Sequence, residues 1–186
     1  MPADRFETPT GPLRLRRPGR DARSPLQAWD AADTYALDHV LGSVDGAPSP
    51  TRTRAGPRCL VVNDGFGAVA LGLAHACEPG GIGAGGDGRI WSWSDSLVAH
   101  QALAANAAAN DIDADRIVQI TDLAETAAPR GVDLVIVKIP KSLALLEHQL
   151  CALSAVVDAR TTVVGAGMTR HIHTSTIELF ERLLGP

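Results

Sequence analysis

Residues 59–76 constrain the fold of this chain more than any other stretch. They begin with Cys59 to Asn63, a largely apolar run with the length and composition of a buried β-strand. A Gly-x-Gly turn follows at Gly65 and Gly67, and from Val69 onward the apolar residues recur with helical spacing. Strand, glycine turn and helix in this order are typical of nucleotide sites, because glycines let main-chain N–H groups approach a ligand at a helix N-terminus. The stretch therefore predicts a parallel sheet with a ligand site at this turn.

The rest of the chain alternates short apolar runs with longer helical patterns. Predicted strands cover residues 59–63, 89–93, 116–120, 133–139 and 161–166, and predicted helices cover 68–77, 96–110, 142–157 and 175–184. Strands that alternate with helices form βαβ units, which give an α/β fold with a parallel sheet covered by helices on both faces. Right-handed crossovers, with a reversal of direction beside the first strand, predict the strand order 3-2-1-4-5.

Two segments precede this core. Residues 1–23 are rich in Arg, Pro and Gly and predict a basic flexible arm, either a solvated tail or a segment that contacts phosphates. Ser24 and Pro25 carry the signals of a helix N-cap and first turn, so we expect an extra N-terminal helix over residues 25–41. Residues 43–57 contain three prolines without periodicity and predict a surface loop. We expect residues 24–186 to form a single domain whose core is 59–186.

The charge is divided unevenly along the chain. The arm holds six arginines and three acids, a net +3, whereas residues 59–186 hold eight basic and fourteen acidic residues, a net −6. The body repels a polyanion on average, so any nucleic-acid contact has to be local. The glycine-rich run 80–88 precedes a strand and lacks a Gly-Lys-Ser/Thr ending, so it predicts a surface turn rather than a phosphate loop.

Several classes of site and location are not indicated by the sequence. The three cysteines have no metal-ligand spacing, and His171 and His173 have no third ligand at a suitable spacing, so no metal site is expected. Neither an apolar run long enough to span a membrane nor a signal peptide is present in the sequence, which favours a cytoplasmic location.

Four strings carry a resemblance to a known family: LQAWDAAD (26–33), LVVNDGFGAVALGLA (60–74), VDLVIVKIPKSLALLEHQL (132–150) and HIHTSTIELFERLLGP (171–186). They resemble the N-terminal half of the two-domain bacterial ribosomal RNA guanine-N2 methyltransferases. The resemblance implies a degenerate Rossmann-like methyltransferase fold that serves RNA recognition or folding support. It also implies a catalytic domain beyond residue 186, which holds S-adenosylmethionine, and ribosomal RNA as a partner.

The resemblance allows the cofactor motif to be compared position by position. A working methyltransferase of this type has an acid at the end of the first strand and three glycines at alternate positions after it. If Gly65 and Gly67 take the first two glycine positions, Asn63 replaces the acid and Val69 replaces the third glycine. Choosing Asp64 as the acid loses the glycine spacing. We therefore expect a degenerate turn that binds no cofactor.

The end of the fourth core strand provides a second comparison. In the family that it resembles, an Asn side chain and a proline carbonyl hold the base amine while an aromatic ring stacks on the flipped base. This chain reads Lys138-Ile139-Pro140-Lys141 there, and lysines neither accept a hydrogen bond from an amine nor stack on a base. Asp95, near the position expected to bind the cofactor ribose, has a residue type and place more typical of a helix cap. No catalytic residue is expected in this chain.

Basic side chains are expected at the carboxyl edge of the sheet and on the arm, where they could contact RNA phosphates. The candidates are Lys138, Lys141, Arg170, His171 and His173 at the edge and Arg14, Arg16 and Arg17 on the arm. A compatible interpretation of Lys138 is a salt bridge with an acid such as Asp64 or Asp95, which would close the pocket.

The sequence thus predicts an N-terminal, noncatalytic domain that recognises ribosomal RNA or supports a catalytic domain. Two alternatives stay open at this point. The domain could itself bind S-adenosylmethionine and act as a methyltransferase, or it could be purely a structural scaffold for its catalytic partner.

Overall fold

The computed structural model describes residues 4–19, 26–42, 56–77, 88–123 and 131–185. The strands within these residues are β1 (Arg5–Thr8), β2 (Gly11–Arg14), β3 (Cys59–Val62), β4 (Ile90–Trp93), β5 (Ile117–Ile120), β6 (Leu134–Lys138) and β7 (Thr162–Ala166). The α-helices are α1 (Ala31–Leu41), α2 (Ala68–Ala76), α3 (Leu97–Ala109), α4 (Leu143–Leu153) and α5 (Thr174–Leu184).

Strands β3 to β7 form a parallel sheet in the order β5-β4-β3-β6-β7. This arrangement confirms the predicted order 3-2-1-4-5, counted from the first core strand. Helices α1, α2 and α3 pack on one face of the sheet, and α4 and α5 pack on the other. Strand β3 lies at the centre and all four of its residues are buried, which explains why its sequence is continuously apolar rather than alternating.

The N-terminal residues form a β-hairpin, so the prediction of a flexible arm is wrong for residues 4–19. Strands β1 and β2 pair antiparallel, with Phe6 opposite Leu13. Phe6, Leu13 and Leu15 are each at most 2% exposed, and the Phe6 ring packs 5.1 Å from the ring of Trp29. Apolar side chains alternate with polar ones along these short strands, so one face of the hairpin joins the core while its arginines face outward.

Helix α3 holds the hairpin through two asparagines one turn apart. Asn106 accepts a hydrogen bond from the Arg16 N–H at 2.8 Å and donates to the Arg16 carbonyl at 3.0 Å. Asn110 makes the same pair with Arg14, at 2.6 and 2.8 Å. These side-chain amides satisfy the main-chain groups of Arg14 in β2 and of Arg16 just after it, as a neighbouring strand would.

Helix α1 begins at Ala31, six residues later than the predicted start at residue 25. Asp30 is the N-cap: its carboxylate accepts the Ala32 and Asp33 N–H groups, and Asp33 accepts the Asp30 N–H in return. This reciprocal capping box fixes the start of the helix, and residues 26–30 run into it without helical structure.

Some predictions concern residues outside the described ranges. They are the helix-start signals at Ser24 and Pro25, most of the loop predicted for residues 43–57, and most of the glycine-rich run 80–88.

Candidate functional site

The predicted ligand turn joins β3 to α2 at the carboxyl edge of the sheet. Two residues there adopt left-handed backbone conformations, Asn63 with φ 63° and Gly67 with φ 84°. A Cβ atom at Gly67 would lie 3.1 Å from the Cα atom of Leu103 in α3, so this position requires glycine both for its conformation and for the close approach of α3. The glycine turn is therefore formed as the sequence predicts.

A carboxylate from the chain itself occupies the N-terminus of α2. Asp64 accepts hydrogen bonds from the N–H groups of Gly67 at 3.1 Å, Val69 at 3.0 Å and Ala70 at 2.9 Å. Its side chain is buried, with a residue exposure of 2%. Burial raises the pKa of Asp64, and the three N–H donors and the charge of Lys138 oppose that rise. The donors that would bind an anionic ligand at this helix end are thus satisfied internally.

Asn63, which stands where the resemblance expects an acid, is bound to a distant glutamine. Its amide donates to the Gln149 Oε1 atom at 2.8 Å, and the Gln149 amide donates back to the Asn63 Oδ1 atom at 2.8 Å. Asn63 also donates to the Lys138 carbonyl at 3.0 Å. These contacts tie the end of β3 to the end of β6 and to α4, and they use the polar atoms of Asn63.

Lys138 binds two carboxylates of α1 and its cap. Its Nζ atom contacts Asp33 and lies 3.0 Å from Asp30 Oδ1. The side chains of Lys138 and Asp33 are only 15% and 7% exposed, so the pair is largely shielded from water. The Lys138 salt bridge predicted with Asp64 or Asp95 instead forms with Asp33 and Asp30.

The three charges of this cluster titrate differently. Burial, together with the charge of Asp64, raises the pKa of Asp33 to about 6 despite the nearby ammonium. Burial disfavours the charge of Lys138, but its two carboxylate partners outweigh burial and raise the pKa of Lys138. Asp30 is more exposed; burial raises its pKa, but Lys138 together with the N–H groups of Asp33 and Ala32 outweighs burial and lowers the pKa overall.

Gly65 and Asp95, two further predicted residues of the degenerate site, are both exposed. Gly65 is exposed, and a Cβ atom there would meet nothing within 4 Å, so packing imposes no glycine at this position. Asp95 is exposed and is not the cap of α3: Ser96 holds that place and accepts the Ala99 N–H at 3.3 Å. Asn63, Asp64 and Gly67 are brought together, whereas Asp95 lies outside the cluster of contacts.

The predicted basic residues at the carboxyl edge lie on separate elements. Lys141 and Arg170 are exposed, on the loops that follow β6 and β7. His171 belongs to the short 3-10 turn Thr169–His171. His173 is exposed at the N-cap of α5, where its main-chain N–H donates to the Thr176 hydroxyl at 3.3 Å.

Of the three arginines predicted to contact RNA from the arm, Arg17 is the one that contacts the glycine turn. Arg16 lies 3.1 Å from the carboxylate of Asp4. The Arg17 guanidinium stacks 4.7 Å from the ring centre of Phe66, the residue between the two glycines of the turn. Arg14 is exposed and uses its main chain to bind Asn110. The described structure thus places the segment after β2 against the glycine turn.

Four residues of the site were missed by the sequence analysis: Asp30, Asp33, Asn106 and Gln149. Asn106 joins the hairpin to the turn, because its amide also donates to the Phe66 carbonyl at 2.9 Å. Asp30 and Asp33 carry a local signal, the capping box, but nothing near them in sequence indicates their pairing with Lys138. Among the described residues, no group of three or more His, Cys, Asp or Glu is placed to hold a metal ion.

Solved structures with a similar fold include methyltransferases. A protein classed as a SAM-dependent methyltransferase from Streptococcus mutans matches with a TM-score of 0.60 at 11% identity, over 94% of this chain and 43% of that protein. A precorrin-6y C5,15-methyltransferase from Geobacter metallireducens matches with a TM-score of 0.54 at 14% identity, over 72% of this chain and 64% of that protein. At such low identity these matches show the fold alone. The chain therefore has the Rossmann-like α/β fold of SAM-dependent methyltransferases.

Sequence relatives define the family more closely. The chain belongs to the family described as the RLMG N-terminal domain, which matches residues 3–186. A protein of Erwinia tasmaniensis named ribosomal RNA large subunit methyltransferase G is 44% identical over 92% of this chain, and one of the same name from Streptomyces griseus is 39% identical over 98%. The chain spans only 39% and 43% of the lengths of these two relatives.

The fold implies S-adenosylmethionine, but the residues at the glycine turn do not fit it. The Asp64 carboxylate takes the N–H groups at the end of α2, and Gln149 takes the amide of Asn63. Val69, at the place of the third glycine, is fully buried in the core. A cofactor carboxylate at this helix end would meet a buried carboxylate instead of donors.

None of the helices among the described residues is long and apolar enough to cross a membrane.

Proposed function

We propose that this chain is the N-terminal, noncatalytic domain of a ribosomal RNA guanine-N2 methyltransferase. In the proposal it recognises RNA and supports a catalytic domain elsewhere in a longer cytoplasmic polypeptide, where S-adenosylmethionine provides the methyl group. The family match and the names of the relatives support the class of parent protein. The observation that carries the noncatalytic role is the Asp64 carboxylate on the N-terminus of α2.

The end of β6 supports the same conclusion. Methylation of a base amine needs acceptors for its hydrogens and a ring that stacks on the base. The residues here are Lys138, whose ammonium binds Asp33 and Asp30, and the exposed Lys141. A lysine offers donors and no acceptor. The chain's own residues at this edge therefore hold α1 against the sheet and do not provide a base-binding site.

The RNA part of the proposal is carried by exposed basic side chains on an acidic body. Lys141, Arg170 and His173 are exposed at the carboxyl edge, and Arg14 and Arg16 are exposed on the hairpin. Lys138 contributes less, because two carboxylates compensate its charge. Exposed arginine and lysine side chains on loops are suited to phosphate contacts, which fix orientation without reading sequence.

Charge reversal tests the RNA contact. Replacing both edge cations, Lys141→Glu with Arg170→Glu, should weaken binding of a large-subunit ribosomal RNA fragment by at least about tenfold and reduce the slope of log affinity against log salt by about 2. Arg160→Glu is the matched control. Arg160 is exposed but lies just before β7, at the amino ends of the strands rather than the carboxyl ends. Unchanged affinity in the double variant, or an equal loss in the control, would refute RNA recognition at this edge.

A structural scaffold is the second candidate. Tyr35, Leu97 and Ile177 are large apolar side chains that remain more than half exposed. Exposed apolar side chains of this size are available to pack against another protein surface. If the charge reversal leaves RNA binding unchanged while the chain binds the rest of the longer polypeptide, the scaffold function replaces RNA recognition.

A further inference from the structure

The Arg17 guanidinium lies over the ring of Phe66, 4.7 Å from the ring centre. Its Nε atom donates a hydrogen bond to the Gln27 carbonyl at 2.6 Å. Phe66 is held in turn, because its ring packs against the core and its carbonyl accepts a hydrogen bond from the Asn106 amide at 2.9 Å. These contacts restrict the position of the guanidinium, so a flat cationic group is ordered before any ligand binds.

The charge of Arg17 is not neutralised within the described part of the chain. Arg16 lies 3.1 Å from the Asp4 carboxylate, and Arg5 lies 2.6 Å from that of Glu7. Among the residues that the structure describes, no carboxylate lies within salt-bridge distance of Arg17, and its hydrogen bond to a main-chain carbonyl uses Nε alone. The other two nitrogens of this half-buried side chain are therefore available to a ligand.

The surface beside the Arg17–Phe66 contact is open. Gly65 precedes Phe66, Gly19 follows two residues after Arg17, and both glycines are exposed. A Cβ atom added at either glycine would meet nothing within 4 Å. Packing within the chain does not require glycine at residue 65, whereas a ligand that approaches the main chain closely would.

The next two loops of the same edge also combine basic and apolar side chains. Lys141 and the 45% exposed Leu143 follow β6. Arg170 lies between Met168 and Ile172 after β7, and these two apolar residues are 36% and 37% exposed. Strands β3, β6 and β7 are neighbours in the sheet, so the glycine turn and these two loops lie side by side.

This combination suits unpaired RNA better than a duplex. In an A-form duplex the bases are stacked inside, and a protein contacts mainly phosphates and 2′-hydroxyls. An unpaired segment also exposes the faces of its bases, which stack on aromatic rings and on arginine guanidinium groups. The loops after β4 and β5 carry the exposed acids Asp95 and Asp122, so the RNA is favoured along the loops of β3, β6 and β7.

We propose that the RNA bound at this edge is an unpaired segment, and that one of its bases stacks on the guanidinium of Arg17. The inference rests on the proposed function, because it names the kind of RNA that the domain recognises. Lys141 and Arg170 contact the phosphates of the same segment, and the apolar side chains beside them pack against further bases.

Substitution by lysine separates stacking from charge. Arg17→Lys keeps the positive charge but removes the planar group, so the chain 1–186 should bind a single-stranded ribosomal RNA oligonucleotide of about 12 nucleotides at least about tenfold more weakly. The slope of log affinity against log salt should stay the same, because no ionic contact is lost.

Arg14→Lys is the matched control for this substitution. Arg14 is exposed on the hairpin and binds Asn110 through its main chain, so Arg14→Lys should leave the affinity unchanged. Equal affinities of the two lysine variants for the oligonucleotide would overturn the proposal.

Two measurements on the unsubstituted chain do not depend on how a variant folds. The single strand should bind at least about tenfold more tightly than the same strand annealed to its complement. Abasic nucleotides, which keep the phosphate, should weaken binding about tenfold at one position or more, and at one such position Arg17→Lys should have little further effect. A duplex that binds as tightly as the single strand, or abasic oligonucleotides that all bind like the parent, would overturn the proposal.

These outcomes are distinguishable from a failure of the proposed function. Affinity that responds to Lys141→Glu with Arg170→Glu but not to Arg17→Lys would remove the stacked base and leave RNA recognition intact. No binding of either the single strand or the duplex would remove both.

Discussion

Asp64 is the residue that most directly supports the proposal that this domain binds no cofactor. In a nucleotide site, the N–H groups at the start of the helix after the glycine turn are available to an external anion. Here a buried carboxylate two residues beyond β3 accepts three of them. The glycine turn is retained, but its ligand is part of the protein.

Replacing this carboxylate should be costly. Asp64→Ala leaves three buried N–H groups without an acceptor and removes the cap of α2, so the free energy of unfolding should fall by about 2–4 kcal/mol. Urea denaturation measures this change. Asp95→Ala is the control, and because Asp95 is exposed and caps no helix its effect should stay within about 0.5 kcal/mol. Similar small effects for both substitutions would show that Asp64 does not stabilise the turn.

Lys138 and Asp33 form the second critical contact at this scale. The folded pKa of Asp33 is about 6, above its ordinary 3.8, so the folded state binds this proton more tightly than the unfolded state. The contribution of Asp33 to stability therefore decreases as the pH rises between these two values. Lys138 works in the opposite sense, since its raised pKa gives stability that is fully present below its ordinary value of 10.5 and is lost above its folded pKa.

Removing the ammonium should produce a pH-dependent defect. At pH 8, Lys138→Met leaves Asp33 charged and buried without its partner, and stability should fall by about 3–5 kcal/mol. Without the ammonium the pKa of Asp33 rises further, so at pH 5 Asp33 is protonated and the loss should be smaller. Urea denaturation at both pH values measures it, with the exposed Lys141→Met as control. Equal losses at pH 5 and pH 8 would argue against this pairing.

At the scale of elements, the hairpin is attached to the domain by side chains as much as by strands. Asn106 and Asn110 on α3 pair with the main chain of Arg16 and Arg14, and Asn106 also holds the glycine turn through Phe66. The hairpin, α3 and the turn therefore form one connected unit.

The two asparagines should not be equivalent. Asn106 is 2% exposed, so Asn106→Ala leaves buried groups of Arg16 and Phe66 unpaired and should lower the free energy of unfolding by about 2–3 kcal/mol. Asn110 is only half-buried, and Asn110→Ala, where water can replace the amide, should cost about 1 kcal/mol. Urea denaturation and the rate of proteolysis in the hairpin measure both. A larger effect at Asn110 would contradict this assignment.

The sequence predicts the elements unevenly, for physical reasons. The buried strands β3 and β6 and the strand order of the sheet can be predicted from the sequence. Continuous apolar runs that alternate with helical patterns are compatible with few folds other than a parallel sheet covered by helices. The hairpin was missed because its strands are four residues long and their arginines are more conspicuous than Phe6 and Leu13. The start of α1 was misplaced because Ser24 and Pro25 give a local signal that competes with the capping box at Asp30.

At the scale of the whole molecule, the carboxyl edge of the sheet is held together by contacts within the chain. In enzymes with open α/β sheets this edge binds the ligand. In this chain the polar groups at that edge bind one another, tying α1, α2 and α4 to the ends of β3 and β6. In the proposed function, the contacts that stabilise the domain at this edge are also the ones that exclude a cofactor.

The site was predictable only where its residues are close in sequence. The glycine turn is visible from spacing alone, and the replacement of an acid by Asn63 is visible from the family resemblance. The partners are not: Gln149 lies 86 positions from Asn63, and Lys138 lies 105 positions from Asp33. Such pairings depend on which helix ends meet at the edge of the sheet, and no local pattern records that.

Calorimetric titration with S-adenosylmethionine tests the noncatalytic assignment most directly. Because Asp64 occupies the end of α2, the chain 1–186 should show no saturable heat with a dissociation constant below about 1 mM. The full-length polypeptide should bind one equivalent, in its other domain. Micromolar binding to the chain 1–186, or two equivalents in the full-length polypeptide, would contradict the assignment.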